Sequence, residues 1–70
     1  MKVVSSYDSN KGYEEIKGME GRTFKSFNAA IAVLKPGQGM TLELPSGGYK
    51  QAGVDEKGQG WIQRRVATDY

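Results

Sequence analysis

The chain contains no histidine and no cysteine, two prolines, one tryptophan and no long apolar run. Without histidine the usual general base at neutral pH is missing, and nucleophile–histidine catalysis is excluded. Without cysteine there is no reactive thiol and no disulfide, and together the two absences remove the best transition-metal ligands. A Ser–Lys pair remains formally open, because Lys25 and Ser26 adjoin and Ser46 lies near Lys50. A catalytic lysine must be buried to lose its proton, and a chain this short has little interior for that. The sequence therefore predicts a non-enzymatic protein with no metal and no cofactor.

Other chemistries fail on spacing. Glu14–Glu15 and Asp55–Glu56 are adjacent pairs, and adjacent residues of a strand point to opposite faces. Asp8-Ser9-Asn10-Lys11-Gly12 opens like a calcium loop, but the closing position falls on Met19, with Glu20 one residue late. It reads as a turn. Ser46-Gly47-Gly48-Tyr49-Lys50 has glycines and a lysine, yet it joins two predicted strands instead of opening a helix, and it reads as a hairpin.

A secretory signal needs an apolar run of roughly 7–15 residues and a membrane span about 20. Met1-Lys2-Val3-Val4-Ser5-Ser6 supplies two consecutive aliphatics. A soluble, cytoplasmic protein without membrane contact is expected. Net charge is +2, from ten Lys/Arg and eight Asp/Glu, which leaves protein and nucleic-acid partners both open.

What the chain has in abundance is glycine, ten of 70 residues. Glycine and turn clusters cut it into short pieces of a single domain spanning 1–70. The predicted class is α+β, an antiparallel sheet of three to five strands with one amphipathic helix, about Phe24–Leu34, packed on one face. Strands are predicted at Lys2–Tyr7, Tyr13–Lys17, Met40–Leu44, Tyr49–Asp55 and Trp61–Ala67. Phe24, Phe27, Ala30, Ile31 and Leu34 form the helix stripe. Thr23 or Ser26 can cap its start, and Lys35-Pro36-Gly37 ends it. The stripe should meet Met40, Leu42, Leu44, Ile62 and Val66. The last hairpin has two candidate registers, with Val54 opposite Trp61 or opposite Ile62; both turn Ile62 and Val66 inward and Trp61, Gln63 and Arg65 outward.

Tyr49, Lys50, Trp61, Gln63 and Arg65 are the candidate partner-binding residues, an aromatic and basic group on the last two strands. Exposed Trp beside Arg has the composition of a protein–protein hot spot. The leading expectation is a binding module contacting a larger protein or nucleoprotein. By size class alone, and by no residue, the expectation extends to a small phage or mobile-element inhibitor that occludes a host enzyme, as anti-CRISPR proteins do. The alternative is a sheet that stacks single-stranded DNA or RNA on its rings. A second alternative is an assembly subunit that self-associates, for instance as a homodimer through an edge strand.

Overall fold

The computed structural model describes residues 1–63. Its elements are β1 (Lys2–Asp8), a 3-10 turn (Ser9–Lys11), α1 (Phe27–Ile31), β2 (Gln38–Glu43), β3 (Tyr49–Val54) and β4 (Gly60–Ile62). The four strands form one antiparallel sheet in the order β1-β2-β3-β4, with the short helix on one face. This is the α+β class that the apolar pattern predicts.

Cross-strand pairing fixes which side chains share a face. Val3 pairs with Leu42 and Leu42 with Lys50; Met40 pairs with Ala52 and Ala52 with Ile62. That set faces the helix. Val3, Met40, Leu42, Ala52 and Val54 are buried there, together with Ala30 and Leu34 from the helical segment and Met19 from the preceding loop. With so little chain, this single layer holds almost all of the interior.

The predicted helix stripe packs as expected, but the helix itself is shorter. Phe24 is not helical: its N–H donates to the Met1 carbonyl, extending the chain along the outer edge of β1. Ser26, with φ −153°, is the N-cap, and its Oγ accepts from the Ala29 N–H. After Ile31 the ladder tightens, with Val33 N–H donating to Ala30 and Leu34 N–H to Ile31. The tight turn delivers Leu34 to the core ahead of Pro36.

The strand predicted at Tyr13–Lys17 does not form. Gly12 and Tyr13 both adopt left-handed backbone, φ 70° and 66°, and the predicted stretch makes a single bridge to β1, Asp8–Glu14, with a second, Lys2–Thr23, at the far end of the loop. The loop instead covers the outer edge of β1. Val3 N–H donates to Arg22 O, Gly21 N–H to Val3 O and Asp8 N–H to Glu14 O. An otherwise bare strand edge is thereby occupied at both ends.

Neither predicted register of the last hairpin occurs. Val54 pairs with Gly60, Gly53 with Trp61 and Ala52 with Ile62. Asp55 N–H donates to Gln59 O, leaving Glu56-Lys57-Gly58 as a three-residue loop with Gly58 at φ 86°. Asp55 Oδ1 accepts from both Lys57 N–H and Gln59 N–H, so the aspartate locks this loop and selects the register. Ile62 lies on the helix side at the sheet edge and stays 38% exposed, so it is not the core residue expected. Val66, and the last strand's extension to Ala67, fall outside the described residues.

Candidate contact surface

The other face of the sheet is the candidate site, and a bulge in β1 helps to build it. The pairing slips between Val3 and Ser5, with Val4 the extra residue. Val3 therefore faces the helix while Ser5 and Tyr7 face away from it, opposite Thr41 and Gly39. Strict alternation from Val3 would have put Tyr7 in the core.

One line of pairs crosses the whole sheet: Tyr7–Gly39, Gly39–Gly53 and Gly53–Trp61. Both glycines are required by close approach. A Cβ on Gly39 would lie 2.5 Å from the Tyr7 hydroxyl and 2.6 Å from its Cζ. A Cβ on Gly53 would lie 2.7 Å from Trp61 Cζ2 and 2.7 Å from the Gln38 carbonyl oxygen. The two rings therefore lie down over a glycine floor, each with one side on the sheet. Both glycines are buried and both rings half-buried.

A third ring extends the row. Tyr13 lies with its ring centre 5.6 Å from that of Tyr7, tilted by 33°, and it is 70% exposed. Its positive φ disfavours a tyrosine by about 1–2 kcal/mol, and the Tyr13 N–H bond to the Asp8 carbonyl holds it there. Asp8 anchors this corner. Its Oδ2 accepts from Gln38 Nε2 and its Oδ1 from the Asn10 N–H. The Gln38 bond leads in holding the Asp8 carboxyl below its ordinary range.

Among the described residues the centre of the face is uncharged. Beside the aromatic line run Ser5, Thr41 and Gln51, paired in sequence across β1, β2 and β3. Charge lies at the margins: Lys2 opposite Glu43 at one end, and Glu14 and Glu15, which follow Tyr13 in the chain, at the other. At that margin Glu15 shares a hydrogen bond with Glu20, which, with their mutual repulsion, raises the Glu15 carboxyl above its usual range.

Of the five residues predicted as a patch, the structure brings Tyr49 and Trp61 to one face and turns Lys50 to the other. Tyr49, opposite Glu43, lies on the open face and is 43% exposed; Trp61 lies on the same face. Lys50 is on the helix side, its Nζ 5.9 Å from the centre of the Phe27 ring, so it does not flank Tyr49. Arg22 is also held off the open face, 5.0 Å from the centre of the Phe24 ring. Gln63 is occupied internally: its Oε1 accepts from the Gln51 N–H while its own N–H donates to Gln51 O, so its amide closes the ladder where β4 ends. Arg65 lies outside the described residues.

Tyr7, Tyr13, Gly39 and Gly53 were not among the expected site residues. The available signal was glycine inside two strands, which marks the close approach of another group. Among the described residues no cluster of acidic side chains has the geometry to hold a metal ion, and no helix is long and apolar enough to cross a membrane. Comparison with known proteins finds no matching family model, no matching curated relative and no matching solved structure.

Proposed function

We propose that this protein is a non-enzymatic binding module that acts by contact, through the open face of its sheet, on a larger protein or nucleoprotein. The observation that carries this reading is the Tyr7–Gly39–Gly53–Trp61 line, flanked by uncharged side chains and rimmed by charge. Recognition surfaces share that make-up, with aromatic residues enriched and charge depleted at the centre. The mode we infer is stoichiometric occlusion in the cytoplasm, as small inhibitors of phages and mobile elements practise it. That part rests on size and on the side-chain inventory.

The test is capture of partners from the cells that make the protein, using wild type, Tyr13→Gly, Trp61→Ala and the helix-side control Lys25→Ala. The two face variants should lose the captured partner and Lys25→Ala should retain it. Equal capture by all four would move the contact surface elsewhere.

A second reading has one observation in its favour: rings lying flat in a row are the geometry on which bases stack. Affinity for single-stranded DNA or RNA would then fall steeply with salt. Against it, Lys50 and Arg22 are drawn to the helix side.

A further inference from the structure

Resting on the contact-surface reading, we infer that the segment this face receives is an extended, uncharged, proline-rich stretch of the partner protein, laid along the Tyr13–Tyr7–Trp61 row. Three observations choose this occupant. The first is area. Three strands of six or seven residues and a fourth of three, about 4.8 Å apart, give a face of roughly 350 Å². A stable globular interface, including one between two copies of this chain, needs about 800 Å² from each side. A linear segment that is already stiff in solution loses little freedom on docking and manages with less.

The second is charge. Ser5, Tyr7, Thr41, Gln51 and Trp61 carry none, and the Lys2–Glu43 pair sits at one end. A phosphate backbone would bring one negative charge per nucleotide to a face where no described residue along the middle neutralises it. A prolyl segment brings none. Its pyrrolidine rings pack against aromatic faces, and its solvated carbonyls are acceptors. The face supplies matching donors in the Trp61 indole N–H, the tyrosine hydroxyls and the Gln51 amide.

The third is spacing. Two residues of polyproline II advance about 6.2 Å, close to the 5.6 Å between the Tyr13 and Tyr7 ring centres. From β1 to β4 is three strand spacings, about 14 Å, the length of four to five such residues. Covering the glycines needs only Tyr7 and Trp61. Tyr13, exposed and in disfavoured backbone, lengthens the row beyond that need.

The test uses the whole chain and fluorescein-labelled decaproline, with a Gly-Ser peptide of equal length and a twelve-residue oligothymidylate as comparators. Trp61, the sole tryptophan, reports binding by its emission, and amide spectra report where it occurs. Decaproline should bind with a Kd of roughly 10–1,000 µM, shift Tyr7, Tyr13, Gly39, Gly53 and Trp61, and change less than about twofold between low and high salt. Tyr13→Gly, which relieves strained backbone and so folds, should weaken it about tenfold. No shift at millimolar decaproline overturns the inference, as does unchanged affinity in Tyr13→Gly. Tighter, salt-sensitive binding of the oligothymidylate would assign the face to nucleic acid, and concentration-dependent dimerisation blocked by Tyr13→Gly would assign it to a second copy. Both outcomes likewise overturn it. If face variants lose the captured partner while decaproline fails to bind, the contact surface stands and the proline-rich segment falls.

Discussion

Adding one methyl group at Gly53 tests the aromatic line most stringently. The new Cβ would stand 2.7 Å from Trp61 Cζ2, 2.9 Å from Trp61 Cε2 and 2.7 Å from the Gln38 carbonyl oxygen. The ring can tilt away, but the Gln38 oxygen belongs to the neighbouring strand's backbone and yields little. Overpacking of this kind destabilises by about 1–3 kcal/mol, and the lower backbone entropy of unfolded alanine offsets about 0.4–1 kcal/mol of that. The net loss for Gly53→Ala is therefore about 1–2 kcal/mol. In a domain of this size that lowers Tm by roughly 4–16 °C. Thermal unfolding followed by circular dichroism measures it, with Trp61 emission reporting a wetter ring. Gly39→Ala is the internal comparison. The three atoms nearest its Cβ all belong to the Tyr7 ring and hydroxyl, the far part of a movable side chain, so the loss should stay below about 1 kcal/mol. In a Trp61→Ala background the penalty of Gly53→Ala should shrink without vanishing, because the carbonyl clash remains. A stabilised Gly53→Ala, or one no worse than Gly39→Ala, would refute the packing of Trp61 on this floor.

Tyr13→Gly should leave stability unchanged or raise it by up to about 1 kcal/mol, which urea denaturation checks, because glycine accepts the positive φ and the tyrosine is mostly exposed. Leu42→Ala, at a fully buried position between β1 and β3, should lose about 2–5 kcal/mol, enough to populate unfolded chain in urea titrations near room temperature. Ser26→Ala removes the hydroxyl that caps α1 and should destabilise by about 0.5–2 kcal/mol in the same assay. Acid titration should separate two carboxyls. The Asp8 pKa is depressed in the fold, so its stabilisation is present above the ordinary aspartate range near pH 4 and disappears as pH falls through the folded value. Glu15 is raised, so the fold gains from it at low pH and loses that gain as pH rises through the folded value. Glu20→Gln should accordingly raise Tm at pH 7 and flatten the profile on that side, whereas Asp8→Asn should flatten the acid limb.

Much of the core was legible because it depends on local periodicity. The stripe Phe24–Phe27–Ala30–Ile31–Leu34 and the alternation Met40–Leu42 both end up in or against the interior. Helix length was not legible. It was settled by tertiary bonds, Phe24 N–H to Met1 O above all, which hold the first residues of the stripe extended along β1. The open face was hidden for two further reasons. A one-residue bulge at Val4 reverses the side on which Tyr7 emerges, and nothing in Val3-Val4-Ser5-Ser6-Tyr7 announces it. The hairpin register was set by the Asp55 carboxylate reaching two amides around Gly58, which hydrophobic alternation does not encode. Lys50 is grouped with Tyr49 and Trp61 by composition, whereas pleating turns it toward Phe27.

Amide chemical-shift mapping of the full chain, titrated with its captured partner, tests the contact surface most directly. The reading predicts that Tyr7, Tyr13, Gly39, Thr41, Gln51, Gly53 and Trp61 move together while Lys25, Asn28 and Ala32 on the helical segment stay still. Shifts gathered around the helix, with the aromatic line silent, would contradict it.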